Sequence, residues 1–171
     1  MGGRSKSNTG QVEIVLRILK LLTRTASDTE TEENAIPLTI TILSPYSRQV
    51  TELRHRLPSS GSVKAFTVDS FQGREADIIV FTSVRCNAEG DIGFVDDARR
   101  LNVMWTRARL GLIIVGDRRT MSTNPLWKRA IDSCREVNIP DEETDIISAT
   151  QQEKVEEVDF PLILVGNLRI Q

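Results

Sequence analysis

The stretch VKAFTVDSFQGREADIIVFTSV, residues 63–84, places a polar turn between two apolar runs. Both runs are dominated by Val, Ile, Phe and Ala rather than alternating with charged residues, a pattern typical of strands covered on both faces of a sheet. The turn between them contains Gly73, and glycine permits a positive φ or the close approach of another group to the backbone. We therefore expect two buried strands joined by a polar, glycine-containing connection.

Further strands and helices are predicted on both sides of this stretch. Two more apolar strands are LTITILSPY, residues 38–46, and LGLIIVGD, residues 110–117. Helical spacing of apolar residues predicts helices over residues 10–24 with Thr9 as its cap, around Val50, Leu53 and Leu57 up to Pro58, over 96–108, and over 126–137 with Asn124 as its cap and Pro125 at its first position. The order α, β, α, β, β, α, β, α indicates an α/β fold with a mainly parallel sheet covered by helices on both faces.

Composition agrees with one globular domain and excludes several classes of site. The chain has 171 residues, of which 39% are hydrophobic, enough for a single core. No apolar run reaches the roughly 18 to 20 residues of a membrane span, and the N-terminus lacks a secretory pattern, so we expect an intracellular protein, cytoplasmic or nuclear. Two cysteines without a C-x-x-C pair, Cys86 and Cys134, and one histidine, His55, predict free thiols and no metal bound by this chain itself.

Charge divides the chain unevenly. Residues 1–135 carry 20 Lys and Arg against 15 Asp and Glu, whereas residues 136–171 carry 2 against 9. We expect a disordered N-terminus over residues 1–9, one domain over residues 10–138, and an acidic, flexible tail over residues 139–171. Within the tail, PLILVGNL, residues 161–168, is a candidate strand for which the sequence suggests no partner.

The polar turn is the first candidate site. Gln72 offers a donor and an acceptor, Arg74 a planar cation, and Glu75 an acceptor suited to a ribose hydroxyl. Ligands of open α/β sheets bind beyond the carboxyl ends of the strands, and the turn follows a strand, so we expect it there. Taken alone, a polar connection with a glycine turn explains the same residues.

The predicted helix over residues 96–108 is the second candidate site. Arg100 and Arg107 are seven residues apart and lie about 20° apart around a helix, away from an apolar side. That apolar side is predicted to hold Ala98, Leu101, Trp105 and Ala108. Two arginines fixed on one face suit phosphate oxygens, although a solvated basic face is the alternative for an isolated helix. The combination with the glycine turn favours a phosphate-binding role.

Three stretches together resemble motifs IV, V and VI of superfamily 1 helicases. They are TITILSPYSRQ, TVDSFQGREADIIVFTSVR and IGFVDDARRLNVMWTRARLGLIIVGD, and the resemblance covers roughly residues 11–135. It is closest to the RNA helicases of nonsense-mediated mRNA decay. One departure is Val103-Met104-Trp105, where the family usually has V-A-L or V-A-I before T-R-A-R, and we interpret it as altered packing.

The resemblance implies the second, C-terminal RecA-like lobe of a two-lobed motor, with ATP bound between the lobes. By the same resemblance, Gly73 and Glu75 contact the nucleotide, Glu75 at its ribose, and Arg107 reaches the γ-phosphate as an arginine finger. Gln72 and Arg100 occupy neighbouring motif positions and are assigned supporting roles.

Nucleic acid is the second ligand that the resemblance implies. Asp69, Ser70 and Arg74 are assigned to the grip on a single strand of RNA or DNA, RNA being favoured. Such binding should depend weakly on sequence and strongly on salt.

The phosphate-cradling pattern G-x-x-x-x-G-K-S/T does not occur in these 171 residues. We therefore expect ATP and Mg²⁺ to be shared with a first lobe, in the full-length protein or in trans, and we expect no ATP hydrolysis or unwinding by this chain alone. The alternative is a non-catalytic module, derived from a helicase lobe, that binds nucleic acid or a protein. Another P-loop-like ATPase, such as a recombinase or kinase, fits the order of the motifs less well.

Overall fold

The computed structural model describes residues 5–27, 38–58, 61–137, 139 and 162–166, and these residues form one six-stranded sheet with helices. The strand order is β2-β1-β3-β4-β6-β5. The strands are β1 (Ile40–Ser44), β2 (Lys64–Thr67), β3 (Ala76–Thr82), β4 (Ala108–Gly116), β5 (Arg135–Val137) and β6 (Leu162–Gly166). The first four are parallel, and β6 lies antiparallel to both β4 and β5. The predicted α/β fold with a parallel sheet is confirmed.

Five α-helices connect these strands within the described ranges. They are α1 (Thr9–Ser27), α2 (Ser47–Arg56), α3 (Ala98–Thr106), α4 (Arg118–Met121) and α5 (Pro125–Asp132). Asn8, not the predicted Thr9, caps α1, because its side-chain oxygen accepts from the Gln11 amide at 3.1 Å. The prediction of a helix as far as residue 137 is wrong, since α5 ends at Asp132 and residues 135–137 pair with β6. None of the helices in the described part of the chain is long and apolar enough to span a bilayer.

Alternation along the strands divides the core between the two faces of the sheet. In β4, Leu112 and Ile114 belong to one apolar cluster, whereas Ile113 and Val115 belong to the other. Side chains of α3, α4 and α5 complete the first cluster, namely Leu101, Met104, Met121, Trp127 and Ile131. Side chains of α1 and α2 complete the second, namely Val12, Val15, Ile18, Leu19, Val50 and Leu53. Helices thus cover both faces, as near-continuous apolar strands require.

The sheet has two opposite edges at which the strands begin and end. Ala76 pairs with Ala108 where β3 and β4 begin, and Thr82 pairs with Val115 where they end. We call the end of the sheet at which these strands begin the amino edge, and the end at which they finish the carboxyl edge. Neither term refers to an outermost strand. A strand of seven residues separates them, about 20 Å at the usual rise per residue.

The candidate strand of the acidic tail has a partner. Residues 162–166 form β6, which pairs with β4 from Leu112 opposite Gly166 to Gly116 opposite Leu162. Residues 1–4, 140–161 and 167–171 of the predicted termini lie outside the described residues. The division of the chain at residues 9 and 138 stays a prediction.

Candidate functional site

Two segments of the chain meet at the amino edge of the sheet. The Ala76 amide donates a hydrogen bond to the Arg107 carbonyl at 3.1 Å. Ala76 follows the turn of residues 72–75, and Arg107 lies between α3 and β4. The expectation that the turn lies beyond the carboxyl ends of the strands is therefore wrong, because residues 68–75 return from the end of β2 to the beginning of β3.

The conformation of the turn depends on an apolar anchor and on a glycine. A 3₁₀ turn over Asp69–Phe71 buries Phe71, whose ring lies 5.6 Å from that of Phe66. The Arg74 amide then donates to the Phe71 carbonyl at 3.1 Å. Gly73 adopts φ of +78°, and an added Cβ would meet nothing within 4 Å. The requirement for glycine is therefore conformational rather than steric.

All four residues of the turn, Gln72, Gly73, Arg74 and Glu75, are exposed. The guanidinium of Arg74 lies 5.1 Å from the centre of the Phe66 ring, within the range of a cation–π contact. The turn therefore presents a carboxylate and an oriented cation to solvent at the amino edge.

Arg107 and Arg109 differ sharply in their partners. The Nη2 of Arg109 lies 2.9 Å from the Asp77 carboxylate. Arg107 is partly buried, and its Nε atom is buried with no hydrogen-bond partner in the described structure. A buried donor without a partner is costly and calls for an explanation, which a bound anion would provide.

Asp77 links β3 to Thr39 and Arg109 at the amino edge, and it was not among the predicted site residues. Its carboxylate accepts from the Thr39 hydroxyl at 2.7 Å and the Thr39 amide at 2.8 Å. These two bonds, followed by the charge of Arg109, hold the pKa of Asp77 below its usual value. The acid that follows R-E-A and the second arginine of T-R-A-R were the available signals for this pair.

The other predicted site residues are distributed differently. Asp69 and Ser70 are exposed and follow the carboxyl end of β2, with the Ser70 hydroxyl bonded to Thr67. Arg100 belongs to α3, and its side chain lies outside the described part of the chain. The predicted site residues therefore divide between the two edges of the sheet.

The predicted apolar side of α3 is correct in part. Leu101 is buried and Trp105 packs against the core cluster, but Ala98 is exposed and Ala108 belongs to β4. Met104 is fully buried, so the departure from the family pattern contributes a large side chain to the core.

A polar network at the carboxyl edge was not predicted. The buried Gln11 side-chain oxygen accepts from the Thr82 hydroxyl at 2.7 Å and from the Val84 amide at 2.8 Å. Gln49 donates to the same hydroxyl at 3.2 Å. Val84 adopts φ of +67°, which is rare for a β-branched residue. The sequence signal for this network was the presence of glutamines at buried positions of α1 and α2. A polar cleft of about 350 Å³ opens beside this network.

Over the described ranges, no group of three or more His, Cys, Asp or Glu side chains could hold an ion.

Comparison with known proteins gives a consistent result. The pattern of the AAA domain family matches residues 1–119. Regulator of nonsense transcripts 1 of Dictyostelium discoideum is 40% identical over 116 residues, covering 63% of this chain and 9% of that protein. ATP-dependent helicase upf1 of Schizosaccharomyces pombe is 34% identical over 145 residues, covering 76% and 16%. ATP-dependent helicase NAM7 of Saccharomyces cerevisiae is 39% identical over 108 residues, covering 58% and 11%.

The chain thus spans 9 to 16% of the length of these relatives. Among solved structures, a phosphoethanolamine methyltransferase of Haemonchus contortus aligns with a TM-score of 0.44 at 13% identity, covering 96% of this chain and 39% of that one. A likeness of that size carries no functional argument.

Proposed function

The chain belongs to the AAA domain family and is a C-terminal helicase lobe of the nonsense-transcript regulator type, and on that premise we propose that it completes an ATP site shared with a first lobe. In this proposal the amino edge of the sheet faces the nucleotide. The lobe contributes charge stabilisation, a ribose contact and part of the grip on a single strand of nucleic acid.

The buried, unpartnered Nε of Arg107 carries the proposal. Of the two arginines in T-R-A-R, Arg109 is neutralised by Asp77, whereas the Nε of Arg107 has no hydrogen-bond partner among the described residues. A guanidinium in this state is suited to stabilise charge on a transferring phosphoryl group, a role typically worth about 10³ to 10⁵ in rate. We assign Arg107 as the arginine finger and Arg100, seven residues earlier, as its support.

The turn supplies the second part of the nucleotide site. Glu75 is exposed next to Ala76, whose amide holds the Arg107 carbonyl, so both side chains belong to one edge. We assign Glu75 to the ribose, and Gly73 and Gln72 to contacts along the nucleotide. The open space beside Gly73 supports the close approach of a ligand to the backbone.

Strand binding is assigned to Asp69 and Ser70, which follow the carboxyl end of β2, and to Arg74 in the turn. RNA is favoured over DNA because one of these relatives is named a regulator of nonsense transcripts, and transcripts are RNA. Any such grip should weaken as salt rises, since it depends on phosphate contacts.

ATP and Mg²⁺ fit the donors at the amino edge only in part. Arg107 offers an unpartnered cation and Glu75 an acceptor, but the described residues contain no candidate Mg²⁺ cluster. Mg²⁺ bound with the nucleotide neutralises phosphate charge, and we assign its ligands to the first lobe. The 171 residues alone are therefore proposed to be inactive in ATP hydrolysis and unwinding.

The test combines this chain with a first lobe from a relative, either fused or in trans, and measures ATP hydrolysis stimulated by single-stranded RNA. Arg107→Gln should lower kcat at least 10³-fold. Arg109→Gln is the matched control, since it removes the same charge two residues away, and it should retain most of the rate. Equal loss in both variants, or full activity in Arg107→Gln, would contradict the assignment of the finger.

A further inference from the structure

Two guanidinium groups contact one aromatic ring at one outermost strand of the sheet, and a lysine lies on the same strand. This strand is β2, and it carries Lys64 and Phe66. The guanidinium of Arg54, from α2, lies 5.7 Å from the centre of the Phe66 ring, and that of Arg74 lies 5.1 Å from it. Arg54, Lys64 and Arg74 are all exposed. We call these four residues the β2 cluster.

No carboxylate of the described residues pairs with the cations of the β2 cluster. Nearby cations differ in this respect, because Arg56 pairs with Glu13 and Arg109 with Asp77. The Nε and Nη2 of Arg54 donate to the Ala65 carbonyl at 2.9 and 2.7 Å, which fixes this guanidinium beside the strand. Two oriented guanidinium groups that share a ring without a counter-ion form a site for an anion.

A cleft of about 240 Å³ adjoins the β2 cluster. Arg54, Lys64 and Phe66 lie along it, and Leu57, Pro58 and Val63 give it an apolar part. Such a cleft has room for an apolar, flat group attached to the anion. This combination of cations, a ring and an apolar cleft differs from a site for free phosphate and is typical of single-strand binding.

We propose that the β2 cluster binds a backbone phosphate of single-stranded nucleic acid, with the attached base in the adjoining cleft. The inference rests on the proposed function, and it adds Arg54, Lys64 and Phe66 to a grip previously limited to Asp69, Ser70 and Arg74. Phe66 acts as a positioning residue, because its ring orients both guanidinium groups. Ser70 follows the same strand, and its hydroxyl donates to the Thr67 carbonyl at the end of β2.

Protection of an exposed strand is the competing explanation. Cations on an outer strand discourage pairing with other chains, and Arg54 already occupies the outward Ala65 carbonyl. That role predicts aggregation when the cations are removed. It predicts no change in the affinity of the monomer for nucleic acid.

The experiment measures binding of a fluorescent single-stranded RNA oligonucleotide to the 171-residue chain across a salt series. Lys64→Gln with Arg74→Gln should raise Kd about tenfold or more at low salt and lower the salt slope by about 0.7 for each lost phosphate contact. The matched control is Arg129→Gln with Arg135→Gln, which removes two exposed cations that have no carboxylate partner in the described structure. Phe66→Leu should weaken binding, and Phe66→Tyr should restore it.

The outcomes distinguish nucleic acid from free phosphate as the ligand, and strand binding from protection of an exposed strand. Inorganic phosphate should compete poorly with the oligonucleotide, and an abasic strand should bind more weakly than an intact one. Equal effects of the test and control pairs, aggregation with unchanged monomer affinity, or equal competition by inorganic phosphate would overturn the inference. Absence of any RNA binding would overturn it together with the strand grip. The Arg107 assay would still decide the nucleotide role independently.

Discussion

The Ala76 amide and the Arg107 carbonyl, 31 positions apart in the chain, share a hydrogen bond of 3.1 Å. The bond joins the end of the Q-G-R-E turn to the arginine that precedes β4. A displacement of either segment must therefore break this bond or move the other segment. The two motifs that the sequence suggests separately form one structural unit at the amino edge.

Gly73 should be required for its backbone conformation. Gly73→Ala forces a side chain into φ of +78° without a clash, so we expect a loss of about 1–2 kcal/mol in the free energy of unfolding. Gly111→Ala is the control, because Gly111 also has open space and lacks a positive φ. That variant should be neutral or more stable by up to about 1 kcal/mol. Urea denaturation of both variants measures the difference, and equal changes would contradict a conformational role.

Substitutions of Arg107 and Arg109 should have opposite effects on stability and on ATP hydrolysis. Arg109→Gln removes a partly exposed ion pair with Asp77 and should cost about 0.5–1 kcal/mol in the free energy of unfolding. Arg107→Gln removes a buried donor that has no partner among the described residues, so the free energy of unfolding should stay equal or rise. Thermal and urea unfolding of the isolated chain give both values. A clear loss of stability in Arg107→Gln would mean that the guanidinium serves the fold.

The sheet could be predicted because its signals are local. Each strand of the parallel part is an apolar run, and alternation within β4 assigns Ile113 and Leu112 to opposite faces. The end of α5 could not be predicted in this way. Residues 135–137 continue a helical pattern, and only pairing with Leu162–Gly166, a segment distant in sequence, makes them a strand.

The residues of the candidate site could be predicted from the sequence, but the end of the sheet at which they lie could not. Gly73, Glu75 and Arg107 were selected from motifs, whereas the end of the sheet at which the turn lies depends on β2 and β3 both being parallel to β1. That orientation makes residues 68–75 cross to the beginning of the next strand. The Asp77–Arg109 pair also escaped prediction, because two adjacent parallel strands bring these side chains together.

Asp77 should make stability depend on acid pH. The pKa of Asp77 is lowered in the folded state, mainly by the Thr39 hydroxyl and amide and then by Arg109. A lowered folded pKa contributes stability above the unfolded value, and this contribution is lost as pH falls through the folded pKa. We expect Asp77→Asn to have a smaller free energy of unfolding than the parent near neutral pH. The difference between the two proteins should narrow below about pH 3.9. Urea midpoints at several pH values test this, and a constant gap would contradict it.

Val84 should store backbone strain at the carboxyl edge. Its φ of +67° costs on the order of 1–3 kcal/mol for a residue with a side chain, and its amide and carbonyl are held by Gln11 and Asn8. Val84→Gly relieves that strain while losing a buried side chain, and the two effects should nearly cancel. Val80 is the control, because it is also buried but lies within β3 and has no positive φ. Val80→Gly therefore loses the side chain without relieving backbone strain.

We expect Val84→Gly to be more stable than Val80→Gly by roughly 1–3 kcal/mol in urea denaturation. The two substitutions are matched in the side chain that they remove, since each takes a valine side chain from a buried position. Equal losses would mean that Val84 is unstrained. In that case the bond from the Val84 amide to Gln11 and the bond from Asn8 to the Val84 carbonyl would satisfy an unstrained backbone.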